Sequence, residues 1–171
     1  YRYTFMRLKD FNIIYINLAH RTERREYIET QLDKLGLLES AIHLEAINGE
    51  TMPENVFRPI RENFKTLAKR EERIIGRIGC LMSHLKALEI AIANKFENIL
   101  IIEDDCQFIT GAEKRQFTVP SDVDVFYLGG LFWRQQPEEI LQTGEWVNIN
   151  RRHLKLACCL NYGIIGQDKI Q

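Results

Sequence analysis

Three consecutive carboxylates, Glu103, Asp104 and Asp105, follow four large aliphatic residues, Ile99 to Ile102. Adjacent negative charges repel one another unless water or a cation screens them. Oxygen ligands completed by water suit Mg²⁺ or Mn²⁺ rather than zinc. Such an ion neutralises a substrate diphosphate and stabilises it as a leaving group. Side chains of an extended strand alternate faces, so Glu103 and Asp105 are expected to converge on one ion while Asp104 points away. Acids at a strand end can equally face water or cap the next element, and this segment alone leaves both readings open.

A basic counterpart lies near the start of the chain. INLAHRTERR, residues 16 to 25, crowds His20, Arg21, Arg24 and Arg25 around a strand-to-helix turn, with Arg77 a candidate neighbour. A first helical turn offers free N–H groups and a positive dipole end, so Arg21 beside it suits phosphate oxygens. Glu23 and Glu26 could instead balance Arg24 and Arg25 on a solvated helix face. GRIG, residues 76 to 79, is a second and weaker anion signal. His84 falls on an apolar face, where a satisfied core imidazole is commoner than a catalyst.

These residues need a frame. The run Ile99 to Ile102 reads as a strand buried on both faces, the mark of a parallel sheet covered by helices. FNIIYINL (11–18) is a first strand, followed by a helix with Thr22 as N-cap, an apolar face of Tyr27, Ile28, Leu32 and Leu35, and Gly36 as its left-handed stop. AIHLEAING (41–49) reads as a strand ending in an Asn-Gly turn. In the charged segment 50–77, Phe57, Ile60, Phe64 and Leu67 recur at helical spacing. Its charges read as a solvated face, with a cover over a cleft as the alternative. Residues 76 to 94 form the strongest helical pattern, with Cys80, Leu81, His84, Leu85, Leu88 and Ile92 on one face. DVDVFYLGG (122–130) is a further strand, LFWRQQPEEILQTG a loop, and GEWVNIN with LKLACCLNYGII a late antiparallel hairpin. Alternating strands and helices predict an α/β domain with a mostly parallel sheet.

Composition sets the bounds. The 171 residues suit one soluble domain, 45% apolar and 27% charged. A net charge of -1 gives no broad attraction for nucleic acid or anionic membrane. No apolar run is long enough to cross a bilayer. The four cysteines, Cys80, Cys106, Cys158 and Cys159, lack C-x-x-C spacing, so no zinc site is expected. Small buried thiols, with no N-x-S/T sequon, fit a cytoplasmic or otherwise reducing compartment. Because the sequence begins at Tyr1, a segment removed upstream stays open.

Four fragments in register carry a resemblance. INL-x-x-R-x-x-R from Ile16 to Arg24, A-x-N-G at 46–49, IGCLMSH at 78–84 and LIIEDD at 100–105 resemble glycosyltransferase family 25. That family works in lipooligosaccharide assembly and collagen hydroxylysine glycosylation and has relatives in giant viruses. The resemblance covers most of residues 12 to 130. It implies a GT-A-type, Rossmann-like three-layer α/β/α fold and inverting transfer of a hexose, from UDP-glucose or UDP-galactose, to a glycan or collagen-like hydroxyl. Carried over by position, Ile16, Asn17 and Leu18 line the uridine pocket, and Arg21 and Arg24 approach the ribose-diphosphate. Asn48, Gly49, Ser83, His84 and Asp104 border the donor. Glu103 and Asp105 hold the metal, Mn²⁺ or Mg²⁺, or else the ribose.

The departures bear on donor preference and catalysis. Asn48 stands where the family commonly has Asp, Arg77 where it has an acid, and Ala19-His20 replace an acid and a base. The family pattern usually continues past the strand equivalent to NYGIIG. The expectation is therefore a single nucleotide-sugar-binding domain over 1–171, truncated on its acceptor side. An inverting transferase needs a base within reach of the acceptor hydroxyl. Among Asp122, Asp124, Glu138, Glu139, Glu145 and Asp168 none stands out, so the base is unassigned. Trp133 could stack an acceptor sugar or pack on its own domain. The alternative function is a UDP-sugar-binding module without catalysis. A phosphatase using an acidic strand end is disfavoured, because the nucleophilic Asp and its Ser/Thr and Lys partners are not found at suitable spacing.

Overall fold

The computed structural model describes residues 3–64, 71–120 and 128. The predicted strand over 122–130 (Leu128 apart), the loop bearing Trp133, the late hairpin, Cys158, Cys159 and the six acids weighed as general base lie outside the described residues.

Three parallel strands organise the fold. The central strand β2 (Asn12–Asn17) has β3 (Ile42–Glu45) on one side and β4 (Ile99–Glu103) on the other. Register sets Ile14 opposite both Ile42 and Ile101, and Ile16 opposite both Leu44 and Glu103. The acid thus arrives level with the C-terminal end of β2. Residues 13 to 17 are all buried, as β-branched and aromatic residues between two covering layers should be. β4 is less enclosed than its sequence predicts: Ile102 is buried, whereas Ile99, Leu100 and Ile101 are half-buried on a strand that forms the sheet edge among the described residues.

The two sheet faces bury different helices. Ile13, Tyr15 and Ile102 pack with Ile28 and Leu32 of α1 (Thr22–Lys34). Ile14, Ile16 and Leu44 pack with Ala87 of α3 (Glu71–Ala93). Helix α1 begins one residue earlier than expected. Arg21 occupies the N-cap without a side-chain cap, and its N–H closes a tight turn on the Leu18 carbonyl at 2.8 Å. Its end follows the expectation: Gly36 has φ +68°, and the Leu37 N–H reaches back to the Leu32 carbonyl at 2.8 Å. The chain leaves β2 through α1 to reach β3, then crosses the other face by α3 to reach β4. Right-handed crossovers require this change of face, and it creates a switch point between β2 and β4.

Helix α3 corrects the predicted face. Its buried positions are Ile74, Ile78, Gly79, Ser83, Ala87 and Ala91, while Leu85, Leu88 and Ile92 are exposed. Small residues let the helix approach the sheet and the loop after β3, a closeness that the larger side chains would prevent. Helix α2 (Glu54–Phe64) packs on α3 through Phe57 and Ile60, which meet Ile74 and Ile78; Leu67 of the predicted helical face lies outside the described residues. One feature had no counterpart in the sequence reading. β1 (Tyr3–Met6) pairs antiparallel with β5 (Phe117–Pro120), forming a separate two-stranded sheet whose Phe117 and Val119 join the α1-side core.

Candidate functional site

A cleft of about 450 Å³ opens at the switch point, over the C-terminal ends of β2 and β4. Its size suits a small-molecule ligand. The donor- and metal-binding residues that the resemblance implied all line it: Ile16, Asn17 and Leu18 from the end of β2, Arg21 and Arg24 from the turn into α1, Asn48 and Gly49 from the loop after β3, Ser83 and His84 from α3, and Glu103, Asp104 and Asp105 from the end of β4 and the turn after it. Ala46, Ile47, Gly76, Arg77, Gly79 and Cys80 complete the wall. His20 is not part of it.

The three acids divide differently from the predicted alternation. β4 ends at Glu103, where the Cys106 N–H turns back onto the Glu103 carbonyl at 3.0 Å. The period of two therefore stops before Asp104. Asp104, 8% exposed, does not point away from the site. It accepts from Asn17 Nδ2 at 2.8 Å and from Arg24 Nη1 at 3.2 Å, and the same Nη1 reaches Asp105 Oδ2 at 3.3 Å. The Arg24 side chain is 46% exposed, so these ion pairs orient it more than they stabilise the fold. Burial pushes the Asp105 carboxyl above the usual carboxylate range, and repulsion from Glu103 adds to this, with Arg24 opposing.

Asn17 is the buried hinge of the site. Its Nδ2 donates to the Arg21 carbonyl at 3.1 Å and to Asp104, joining the α1 turn to the β4 tip. Its Oδ1 has no hydrogen-bond partner among the described residues. A buried acceptor in that state favours a ligand that donates a hydrogen bond.

The opposite wall is a close backbone contact. Ser83 Oγ donates to the Gly79 carbonyl at 2.7 Å and accepts the Ile47 N–H at 2.8 Å. A Cβ on Gly79 would fall 2.6 Å from the Ile47 carbonyl oxygen, and one on Gly49 only 2.2 Å from that of Ile75. Asn48 closes its own turn, accepting the Glu50 N–H at 3.0 Å. GRIG is therefore a packing feature inside α3. That helix starts at Glu71, so residues 76 to 79 are not an N-terminal anion cradle as the sequence allowed.

His84 leaves the core role expected of it. Its side chain is 24% exposed in the cleft, and Nε2 lies 3.1 Å from Glu103 Oε1. Cys80, one turn earlier, places Sγ 3.8 Å from the same oxygen. Cys106, by contrast, is a buried core thiol. The i, i+4 spacing of Cys80 and His84 was the available signal for their common face. What the sequence lacked was the arrival of Glu103 between them.

Comparison with known proteins identifies the family rather than the site. Residues 11–152 match the family model described as "Glycosyltransferase family 25 (LPS biosynthesis protein)". A "Glycosyltransferase 25 family member" of Anopheles gambiae is 25% identical over 146 residues, covering 80% of this chain and 24% of the relative. One of Drosophila melanogaster is 30% identical over 102 residues, 56% of this chain and 16% of the relative. "Inactive glycosyltransferase 25 family member 3" of Mus musculus is 25% identical over 134 residues, 68% of this chain and 21% of the relative. The chain thus spans at most about a quarter of the curated relatives it matches. With the family model covering most of its length, the chain belongs to glycosyltransferase family 25.

Proposed function

We propose that this chain forms the donor-binding part of a GT-A-type glycosyltransferase that moves a hexose from a UDP-sugar to a hydroxyl acceptor with inversion. The observation that carries the reading is the meeting, at the switch point of a parallel sheet, of a basic helix start with an acidic strand end across one cleft. Ile16 to Leu18 would line the uridine side, where the unpartnered Asn17 Oδ1 suits an N–H donor. Arg21 and the first turn of α1 would face the diphosphate.

The acids fit a divalent cation. Asp105 is half-buried beside Glu103 and its ionised form is disfavoured, which a bound cation would reverse. Glu103 and Asp105 would hold Mn²⁺ or Mg²⁺, and that ion would neutralise the diphosphate as the sugar leaves. Arg24, bridging Asp104 and Asp105, would offset the repulsion between these acids and share its remaining N–H groups with phosphate. Ser83 would fix the loop through Ile47 to Gly49 against which the donor rests.

The proposal predicts that UDP raises the melting temperature of the full chain only with Mn²⁺ present, because ligands bound to the native state stabilise it. The Glu103→Ala, Asp105→Ala double variant should lose that response. Retention of the response would refute the metal assignment. A second reading, a donor-binding module without transfer, is favoured by the likeness to a relative named inactive. Release of UDP from UDP-glucose or UDP-galactose, with and without sugar or hydroxylysine-peptide acceptors, separates the two.

A further inference from the structure

We infer that Cys80, His84 and Glu103 form a binding site for a thiophilic divalent ion of the zinc class, distinct in ligand chemistry from the oxygen site of Glu103 and Asp105. One donor atom from each of the three residues lies within 4.8 Å of the other two. Two come from a rigid helix at i, i+4, and the third from the end of the strand beside it. Tetrahedral zinc with a sulfur ligand at about 2.3 Å and nitrogen and oxygen ligands at about 2.0–2.1 Å has ligand-to-ligand edges of roughly 3.3–3.5 Å. The observed edges are 3.1 Å from His84 Nε2 to Glu103 Oε1 and 3.8 Å from Cys80 Sγ to the same oxygen. These two edges lie within a few tenths of an ångström of the tetrahedral values, and the third, from Cys80 to His84, is no longer than 4.8 Å, so side-chain rotation at Cys80 and His84 closes the triangle.

Ligand softness decides the ion. A thiolate with an imidazole selects Zn²⁺ or Co²⁺ over Mg²⁺ and Mn²⁺, whose preferred ligands are oxygens. Three protein ligands leave a fourth position, and all three residues line the cleft, so that position is available to water or a ligand. Binding converts the Cys80 thiol to thiolate and releases its proton to solvent. His84 coordinates through Nε2, so its remaining ring proton resides on Nδ1. Glu103 belongs to both ligand sets, so this ion and the proposed Mn²⁺ compete for one carboxylate. That competition rests on the proposed function, whereas the site itself does not.

Co²⁺ titration of the full chain is the test. We expect one equivalent to bind with the visible absorption of tetrahedral Co²⁺ and a near-ultraviolet thiolate-to-cobalt band, displaced by Zn²⁺. Cys80→Ser should abolish the thiolate band, and Asp105→Asn should retain it. A wild-type complex without the thiolate band, or a band that survives in Cys80→Ser, would overturn the site. Because a variant can fail to fold, alkylation of Cys80 in the wild-type chain, followed by mass spectrometry, gives a second readout. Stoichiometric Zn²⁺ should slow it at least tenfold, and an unchanged rate would contradict the inference. Loss of the Mn²⁺-dependent UDP response with an intact cobalt spectrum would count against the proposed function alone.

Discussion

Two glycines three residues apart on α3 should respond oppositely to the same substitution. Alanine is favoured over glycine in a helix interior by about 1 kcal/mol. A Cβ at Gly76 would meet no atom within 4 Å, so Gly76→Ala should raise stability by about that amount. At Gly79 the Cβ would lie 2.6 Å from the Ile47 carbonyl oxygen and 2.9 Å from the Gly49 nitrogen, both backbone atoms that no rotamer change can move aside. Overpacking of this kind costs about 1–3 kcal/mol. Pushing the loop away stretches the Ile47 N–H bond to Ser83 Oγ, at about 1 kcal/mol more. After the propensity gain, Gly79→Ala should lose roughly 1–3 kcal/mol, leaving the two variants about 2–4 kcal/mol apart. At about 2–4 °C per kcal/mol for a chain of this size, their melting temperatures should differ by roughly 5–15 °C. Thermal unfolding without ligand measures this. A Gly79→Ala protein that melts with or above Gly76→Ala would refute the close contact between α3 and the 46–49 loop.

Ser83→Ala should cost about 1–3 kcal/mol in urea unfolding, because it leaves the Ile47 N–H without its partner. Acid should destabilise the protein from two groups with the same sign. Hydrogen bonds from Tyr15 at 2.6 Å and Arg25 at 2.7 Å hold Glu29 below its ordinary range, so its contribution is full above the unfolded carboxylate pKa and is lost as pH falls through the folded one. Burial holds His43 below 6.5, so the folded state binds fewer protons and stability falls as pH drops below about 6.5. Melting temperature measured from pH 7 to pH 4 should decline in both ranges, and His43→Phe should flatten the upper one. Asp105 has the opposite sign: its raised pKa favours the fold below the ordinary carboxylate value and is lost as pH rises through the folded pKa. Asp105→Asn should therefore stabilise the metal-free protein at pH 7, by less than about 1 kcal/mol because its contact with Arg24 is lost too, and the gain should vanish by pH 4.

The parallel sheet was legible because β2 and β4 are dense in β-branched residues and the helices between them have clear periods and stops, such as Gly36. The charged part of the cleft, Arg21, Arg24 and the three acids, drew notice from the same pattern, because strand ends and the α1 start are where charged residues gathered, whereas Asn48, Gly49 and Ser83 were named as site residues only through the family resemblance. Other features depend on contacts that no local pattern encodes. β1 and β5 pair across more than a hundred residues, Tyr3 with Pro120, and each strand is too short to stand out alone. The buried face of α3 was missed because Gly79, Ser83, Ala87 and Ala91 are small, and the larger Leu85, Leu88 and Ile92 outweighed them in a hydrophobic count. Asp104 turned inward because β4 ends one residue before it. Cys80 joined the site only because Glu103 arrives beside its helix.

On the proposed function, a uridine diphosphosugar binds in the cleft between the ends of β2 and β4. A crystal of the chain grown with UDP and Mn²⁺ tests it most directly. Diphosphate density beside Arg21, with the ion against Glu103 and Asp105 and the base near Asn17, is the predicted result. Clear nucleotide density elsewhere on the protein, with that cleft empty, would contradict it.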